Sequence, residues 1–315
     1  MYVLLCEDES YYTGHTEDVE ERFRLHQLGF GGRYTRLHRP VEVLLVEEFA
    51  TRGEAVRRER EIKRLGRDGR RKLIRERFSG VEWVFFDLGS TLTDEGVFER
   101  FMFREVFKFL VECGVQVTRR RFKRLVRDAV AAEKYRGVSG TGIYGSSHRN
   151  LLMAVVAGLP NGEQLIPQVL YHYSARVKSF YIKKQRLKKG VKLVLRSLKK
   201  KYNLGLVANQ PREARELLCR LGLDRYFKLV VISDEVGMGK PNPEIFEVAL
   251  KLAGCPPEKA VMVGDRLDND VAPAKKLGIK TICIKFGLVA GQKPSCELEK
   301  ADCSVRRLTS LLELL

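Results

Sequence analysis

The sequence of 315 residues predicts an α/β protein with two units, a small α+β unit over residues 1–78 and a parallel-sheet unit over residues 81–315. Three observations predict this class. Short apolar runs in the second unit alternate with amphipathic helices, which is typical of a parallel sheet with crossover helices. A helix-rich, strongly basic segment at about residues 96–200 interrupts that alternation after its first strand. In the first unit, short strands and helices are mixed.

Composition excludes several classes of protein. Apolar residues make up 44% and charged residues 31% of the chain, which fits a folded protein rather than a disordered one. The longest apolar stretches, such as residues 151–159, are far shorter than the ~20 residues of a membrane helix, so we expect no membrane partner. Seven scattered cysteines without a C-x-x-C pair argue against a cysteine zinc site and favour the reducing cytoplasm. The oligomeric state is not predicted.

The first unit is predicted to contain three strands and two helices. Residues 2–6 and 11–16 have the character of short strands, and Thr16 is a suitable N-cap for a helix that begins with acidic residues. Residues 41–49 are β-branched and apolar, which predicts a third strand. Residues 51–65 then form a strongly charged helix.

The second unit is predicted from five apolar runs and the helices between them. The predicted strands are residues 81–86, 204–208, 229–233, 260–264 and 281–285. The predicted crossover helices are residues 212–221, 243–253 and 271–277. The inserted segment is predicted to contain helices at 98–113, 119–134, 150–157 and 169–202, the last of them broken near Gly190.

The excess positive charge lies almost entirely in the inserted segment. The chain carries a net charge of +18, and residues 96–200 hold 23 basic and six acidic side chains. A field of that sign concentrates anions, whether phosphorylated metabolites or nucleic acid. A solubilising surface is the alternative explanation, but the imbalance favours an anionic partner.

Polar side chains follow the predicted strands of the second unit. Asp87 follows the first strand and Asn209 the second, Lys240 lies after the third, and Asp265 and Asp270 follow the fourth. The carboxyl ends of parallel strands meet at the edge where such sheets bind ligands. Carboxylates from two strands can hold Mg²⁺, a lysine can neutralise a phosphate, and Asp87 can attack phosphorus. A single aspartate after a strand is usually a helix cap, but polar residues after four successive strands, in this order, predict a phosphoryl-transfer site.

This order of residues resembles the haloacid dehalogenase-like (HAD) hydrolase superfamily over residues 81–315. The resemblance implies a Rossmann-like sheet, a helical cap over about 96–200 that chooses the substrate, and Mg²⁺-dependent removal of phosphate from an anionic small molecule. Asp87 would be the nucleophile, forming an aspartyl-phosphate. The implied metal ligands are Asp87, the backbone carbonyl of Gly89, Asp265 and Asp270. The implied substrate-binding residues are Thr91, Asn209 and Lys240, of which Lys240 is also catalytic.

Two positions depart from the superfamily pattern. The residue two positions after the nucleophile is normally an aspartate that protonates the leaving group, and here it is Gly89. The hydroxyl residue of the second motif is replaced by Ala208. General acid catalysis contributes ~10²–10⁴-fold, so the alternative is a weakly active or inactive module that acts as a ligand sensor. A dehalogenase is less expected, because that chemistry needs no metal and leaves the paired acids Asp265 and Asp270 without a role.

A second set of polar residues lies in the first unit. Tyr2 and Tyr12 are predicted on neighbouring strands, and Arg22 and His26 are four residues apart on one helix face. Glu59 lies on the later helix. This set suits one-metal cleavage of a phosphodiester, in which a phenol or imidazole activates water, an arginine stabilises charge and a glutamate holds the metal.

The same set resembles the GIY-YIG nuclease superfamily, in particular its small stand-alone bacterial members, over residues 1–77. Tyr2 matches the tyrosine of the first triplet, Tyr12-Thr13-Gly14 matches the second, and residues 31–35 resemble the adjoining basic loop. The resemblance implies DNA as a partner and Mg²⁺ or Mn²⁺ as cofactor, with Glu59 as metal ligand. The implied catalytic residues are Tyr2, Tyr12, Arg22 and His26.

The sequence therefore predicts a bifunctional hydrolase that combines a GIY-YIG-type nuclease with a HAD-type phosphatase. The alternative is a nucleic-acid-associated binding protein whose second unit senses a ligand. The remaining histidines show no metal-ligand spacing, and we expect surface or packing roles for His15, His38, His148 and His172.

Overall fold

The computed structural model of the chain describes residues 1–133 and 146–315, without the side chains of 146–147, 173–179 and 182. The strands are β1 (Tyr2–Cys6), β2 (Tyr11–Gly14), β3 (Pro40–Val46), β4 (Trp83–Phe86), β5 (Thr93–Asp94), β6 (Arg186–Leu187), β7 (Asn203–Ala208), β8 (Leu229–Ile232), β9 (Ala260–Gly264), β10 (Lys280–Ile284) and β11 (Cys303–Val305). The helices are α1 (Val19–Gln27), α2 (Arg33–Leu37), α3 (Arg52–Arg64), α4 (Gly66–Glu76), α5 (Gly96–Glu112), α6 (Arg119–Ala131), α7 (Ser146–Ala157), α8 (Gly162–Lys184), α9 (Val191–Leu198), α10 (Ala214–Leu221), α11 (Ser233–Val236), α12 (Glu244–Ala253), α13 (Ala272–Lys276) and α14 (Leu311–Leu314).

The first unit is built on a three-stranded antiparallel sheet in the order β2-β1-β3. Tyr2 pairs with Gly14 on one side and with Val46 on the other. Both faces of β1 are buried, which explains why its five residues are uniformly apolar. Helix α3 begins with a capping box in which the hydroxyl of Thr51 and the carboxylate of Glu54 each accept a backbone N–H bond from the other residue.

The second unit contains a six-stranded parallel sheet in the order β11-β10-β9-β4-β7-β8. Alternate residues of β4 enter different cores. Val84 and Phe86 pack on one face of the sheet, and Trp83 and Phe85 pack on the other. Helices cover both faces, as parallel strands require. The predicted α/β fold class is confirmed.

Helices α5–α8 are inserted between β5 and β6, which pair as a short antiparallel ribbon. The buried positions Phe98, Met102, Val106 and Leu110 recur along one stripe of α5, as expected for a helix that packs on one side. The ribbon and strand β11 were not predicted. The predicted helix end at residue 134, and the part of the insertion at 134–145, lie outside the described residues. Within the described residues, no helix has the length and apolar character needed to cross a membrane.

Local structure corrects two expectations in the first unit. Thr16 is not the N-cap of α1, because its hydroxyl bonds to the backbone of Asp18 in the preceding turn. The carboxylate of Asp18 is the cap and accepts the N–H of Glu21 at 2.9 Å. The first unit contains helices α2 and α4 in addition to the two helices that the sequence predicts, and Arg70 on α4 donates to the carbonyl oxygen of Tyr11 at 2.7 Å.

The two sheets are joined by a buried carboxylate. One oxygen of Glu42, on β3, accepts the backbone N–H groups of Arg306 and Arg307 at 2.6 and 3.2 Å and the hydroxyl of Ser310 at 3.2 Å. Burial raises the pKa of Glu42 to about 7, although these three hydrogen bonds oppose the shift. Glu42 therefore satisfies polar groups of the segment after β11 that would otherwise be buried without an acceptor.

We predict that Glu42→Ala lowers the free energy of unfolding by roughly 2–3 kcal/mol, because it leaves buried N–H donors without an acceptor. Glu42→Gln keeps an acceptor oxygen and should lose less. Urea unfolding of the full chain measures both, with the exposed Glu48→Ala as control. A loss in Glu42→Ala no larger than in the control would show that this contact does not stabilise the joint.

Candidate active sites

A group of three carboxylates lies at the carboxyl edge of the parallel sheet. Asp87 follows β4, Asp265 follows β9, and Asp270 lies in the π-helical turn Leu267–Val271 that comes next. One carboxylate oxygen from each residue lies within 4.8 Å of the others. The structure therefore brings together the three acidic residues that the sequence places at different strand ends.

The ammonium of Lys240 bridges two of these carboxylates. Its Nζ atom lies 2.6 Å from Oδ1 of Asp87 and 2.5 Å from Oδ1 of Asp270, and the residue is only 2% exposed. Burial alone would lower the pKa of Lys240, but the two carboxylates outweigh it and raise the pKa above its usual value. Lys240 is therefore a permanent positive charge in the centre of the site.

Burial and neighbouring charges raise the pKa of two of these carboxyl groups. Burial and the neighbouring Asp270 raise the pKa of Asp87 to about 6, while Lys240 acts in the opposite direction. Asp87 is therefore mostly ionised at neutral pH, which its predicted role as nucleophile requires. Burial, Asp270 and Asp87 raise the pKa of Asp265 well above its usual value. The acidic side chains at this edge of the sheet therefore carry more negative charge than the single positive charge of Lys240 neutralises.

Asn209 holds the main chain that carries Lys240. Its amide nitrogen donates to the carbonyl oxygen of Lys240 at 2.6 Å, and its amide oxygen accepts the N–H of the same residue at 2.7 Å. Thr91 is fully buried, and its hydroxyl has no hydrogen-bond partner among the described residues. The carbonyl oxygen of Gly89, an expected metal ligand, accepts the N–H of Thr91 at 2.5 Å. The substrate-binding roles of Asn209 and Thr91 stay predictions.

A glutamate that sequence reasoning missed lies against Gly89. A Cβ atom on Gly89 would be 2.5 Å from Oε1 of Glu95, closer than any two such atoms approach. The Tyr181 hydroxyl donates to that oxygen at 3.4 Å, and His148 lies 3.7 Å from the other oxygen and 3.6 Å from Glu99. Burial raises the pKa of Glu95 to about 7. His148, expected to have a surface or packing role, is instead part of this buried polar group.

A second missed residue is Lys188, which follows β6. Its ammonium donates to the carbonyl oxygen of Ser90 and lies 3.8 Å from the ring centre of Phe286. Burial lowers the pKa of Lys188 to about 8, opposed by Asp265 and other acids of the site. In the sequence Lys188 is one of several basic residues at 183–189, and nothing in that segment distinguishes it from the others.

The donor set at the sheet edge fits a hard divalent cation. Mg²⁺ prefers oxygen ligands, and Asp87, Asp265 and Asp270 offer three carboxylates within reach of one another. Lys240 supplies one positive charge to these three acids. The charge balance and the oxygen chemistry of the site are therefore both suited to Mg²⁺.

The first unit contains a hydrogen-bonded chain centred on His26. The imidazole Nε2 lies 3.0 Å from the hydroxyl of Tyr2, and Nδ1 lies 2.7 Å from Oγ1 of Thr35, which donates to the carbonyl oxygen of Gly32. Because Thr35 uses its proton on Gly32, Nδ1 of His26 is the donor and Nε2 accepts from Tyr2. Burial, followed by the charge of Arg22, lowers the pKa of His26 to about 4, so the ring is neutral.

The two tyrosines surround this histidine. The ring centres of Tyr12 and His26 are 5.1 Å apart, and those of Tyr2 and Tyr12 are 6.4 Å apart. A Cβ atom on Gly14 would lie 2.5 Å from the hydroxyl oxygen of Tyr2, so only glycine lets the Tyr2 ring cross the neighbouring strand. Burial raises the pKa of Tyr2 to about 12, and Arg22 opposes the shift. The structure thus brings Tyr2, Tyr12, Arg22 and His26 together.

Glu59 lies on α3 with both oxygens paired. His15 bonds to one oxygen and Lys63 to the other. Burial alone would raise the pKa of Glu59, but these two partners outweigh it and lower the pKa. A cation bound by Glu59 would have to displace Lys63 or His15. His15 therefore has a specific partner, which its spacing in the sequence did not indicate.

Comparison with known proteins agrees with both resemblances. A model of the haloacid dehalogenase-like hydrolase family matches residues 81–278, and one of the GIY-YIG catalytic domain matches residues 1–73. The glyceraldehyde 3-phosphate phosphatase of Methanothermobacter thermautotrophicus is 30% identical over 224 residues, covering 70% of this chain and 93% of that protein. A UPF0213 protein of Staphylococcus haemolyticus is 44% identical over 77 residues, 24% of this chain and 94% of that protein.

Solved structures support the fold of the second unit. The magnesium-bound structure of the HAD-hydrolase YfnB from Bacillus subtilis superposes with a TM-score of 0.54 at 18% identity. The match covers 75% of this chain and 98% of that one. With family models and relatives covering both units, the chain belongs to the haloacid dehalogenase-like hydrolases and carries a GIY-YIG domain ahead of the hydrolase unit.

Proposed function

We propose that the second unit is a phosphatase that removes phosphate from a small anionic phosphate ester by way of an aspartyl-phosphate on Asp87. The observation that carries the proposal is the ammonium of Lys240, held between the carboxylates of Asp87 and Asp270. A carboxylate nucleophile beside a fixed cation at the edge of a parallel sheet is suited to attack on a negatively charged phosphorus centre.

In the first half-reaction the ionised carboxylate of Asp87 attacks phosphorus and the bond to the leaving oxygen breaks. Lys240 uses two of its three N–H donors on Asp87 and Asp270, which leaves one donor for a phosphoryl oxygen. Asn209 keeps this ammonium in place through the backbone of Lys240. In the second half-reaction water attacks the same phosphorus, and inorganic phosphate leaves with Asp87 restored.

Asp87, Asp265 and Asp270 are the residues proposed to hold Mg²⁺, together with the carbonyl oxygen of Gly89. The chemistry that the bound ion supplies is neutralisation of charge on the phosphoryl group. In this proposal the carboxylate of Asp87 has two tasks, attack on phosphorus and a share in holding the ion.

The substrate proposed is a short alkyl phosphate. Relatives that match most of the second unit are named glyceraldehyde 3-phosphate phosphatases. The basic inserted segment, with 23 basic and six acidic residues, favours an anionic substrate. Residues 96–200 are proposed as the cap that selects it, within a hydrolase domain of residues 81–315. The cytoplasmic location stays a prediction.

For residues 1–78 we propose a GIY-YIG-type nuclease that cleaves DNA. The observation that favours it is the hydrogen bond between the hydroxyl of Tyr2 and Nε2 of His26. Because the His26 ring is neutral, it accepts this bond and so fixes the direction of the phenolic O–H. In this proposal Tyr2, Tyr12 and His26 orient the attacking water, Arg22 stabilises the developing charge, and Glu59 holds Mg²⁺ or Mn²⁺. The alternative is a unit that binds DNA without cutting it.

We predict that Asp87→Asn abolishes phosphatase activity, because an amide cannot attack phosphorus as a carboxylate does. Release of inorganic phosphate from p-nitrophenyl phosphate with Mg²⁺ measures the effect. Asp128→Asn, an exposed aspartate on α6, is the matched control and should keep its turnover. Wild-type turnover by Asp87→Asn, with an unchanged circular dichroism spectrum, would refute the covalent mechanism.

We predict that the full chain carrying Asp87→Asn cleaves single-stranded or branched DNA with Mg²⁺ or Mn²⁺. Adding Glu59→Ala should remove cleavage but spare binding, whereas Arg22→Ala should slow cleavage with little change in metal dependence. Gel assays of cleavage and binding measure these effects, with the exposed Glu61→Ala on the same helix as control.

If the Asp87→Asn chain cuts no DNA with either metal, or if its Glu59→Ala form cuts as well as its Glu61→Ala form, the nuclease proposal fails. Binding that survives in that case, and that weakens steeply with salt, would support the DNA-binding alternative.

A further inference from the structure

The phosphatase site lacks the side chain that its family uses as general acid. Position 89 is glycine, and nothing attached to it can protonate the leaving oxygen. A phosphate ester with an alkyl leaving group needs such a proton, because an alkoxide is a poor leaving group. Another group must supply that proton if the site is to hydrolyse alkyl phosphates.

We propose that the carboxyl group of Glu95 is the general acid and base of this site, taking the place that Gly89 leaves open. The inference rests on the proposed phosphatase function. Its basis is steric: a Cβ atom on Gly89 would lie 2.5 Å from Oε1, 3.2 Å from Cδ and 3.6 Å from Oε2 of Glu95. The Glu95 carboxyl group thus occupies the volume in which a side chain at position 89 would begin.

The chain between the two residues is folded so that Glu95 returns to the site. The carbonyl oxygen of Leu88 accepts the N–H of Leu92 at 2.9 Å, and both the N–H and the hydroxyl of Thr93, at 3.0 and 3.1 Å. Asp94 pairs with Arg186 in the ribbon, and its carboxylate accepts the N–H of Gly96 at 3.0 Å. These bonds fix the turn that carries Glu95 back towards Asp87.

Helices of the inserted segment hold the carboxyl group in this position. Tyr181 on α8 donates its hydroxyl to Oε1 at 3.4 Å, and His148 on α7 lies 3.7 Å from Oε2. Glu95 is 8% exposed, so its carboxyl group is largely shielded from bulk water. A proton donor in such a place meets the leaving oxygen and little solvent.

The proposed proton transfers balance across the two half-reactions. As Asp87 forms its bond to phosphorus, the leaving oxygen takes the proton of the Glu95 carboxyl group and departs as an alcohol. Glu95 is then a carboxylate. When water attacks the aspartyl-phosphate, Glu95 takes one of its protons, so that phosphate, ionised Asp87 and protonated Glu95 are restored.

Leaving-group dependence tests this assignment in the full chain with Mg²⁺. The variant Glu95→Gln keeps the shape but cannot donate a carboxyl proton. We expect kcat/KM to fall ~10²–10⁴-fold for glycerol 3-phosphate, an alkyl ester, and less than about tenfold for p-nitrophenyl phosphate, whose leaving group needs no proton. Glu99→Gln disturbs the same histidine without touching Gly89, and should change both substrates by equal factors.

A second test moves the carboxyl group from position 95 to position 89. Gly89→Asp combined with Glu95→Ala moves the carboxyl group to position 89 and removes the atoms with which it would collide. We expect the double variant to regain alkyl phosphatase activity relative to Glu95→Ala alone, whereas Gly89→Asp alone should be impaired by the collision.

The outcomes separate this inference from the function on which it rests. Equal losses on both substrates in Glu95→Gln, in an active wild-type background, would overturn the general-acid role and leave the phosphatase proposal standing. A wild-type chain that turns over neither ester would overturn the phosphatase proposal, and the role of Glu95 with it.

Discussion

The ion cluster around Lys240 is the interaction on which the hydrolase site depends. Removing an ammonium and two carboxylates from water costs several kcal/mol for each ion, and this cost is offset only when the charges are paired at close range. Here the ammonium contacts Asp87 and Asp270 at 2.6 and 2.5 Å. Asn209 fixes the backbone of Lys240, so the cluster ties together the ends of β4, β7 and β9 at the edge where chemistry is proposed. The proposed nucleophile, Asp87, is therefore positioned by the same contacts that offset the cost of burying its charge.

The GIY-YIG unit is packed onto the hydrolase and not merely tethered to it. Glu42 of β3 accepts hydrogen bonds from the segment after β11, and Arg75 of α4 donates to the carbonyl oxygen of Leu312 at 2.7 Å. Apolar residues of both units, such as Leu44 and Val305, belong to one continuous core. These contacts therefore hold the two proposed sites, one for DNA cleavage and one for phosphate release, in fixed positions relative to each other.

The parts of this structure that follow from local pattern were predictable. Apolar runs of strand length gave β4, β7, β8, β9 and β10, and the order of Asp87, Lys240, Asp265 and Asp270 predicted their meeting because parallel strands end at one edge. Contacts set by tertiary packing were not predictable. Glu95 contacts Gly89 because the turn before β5 and the pairing of β5 fold the chain back. Lys188 differs from the neighbouring lysines only in its burial beside Phe286. The cap of α1 was misassigned because Thr16 and Asp18 are both suitable caps, and hydrogen bonding selected Asp18.

The most direct test of the account is to trap the covalent intermediate. The full chain is mixed with an ester carrying a radiolabelled phosphoryl group, quenched in acid during turnover and digested, and the label is mapped by mass spectrometry. We expect a hydroxylamine-sensitive phosphate on Asp87, because an acyl phosphate is the intermediate that attack by this carboxylate must form. Turnover without a labelled protein, or a label on any other residue, would contradict the central role assigned to Asp87.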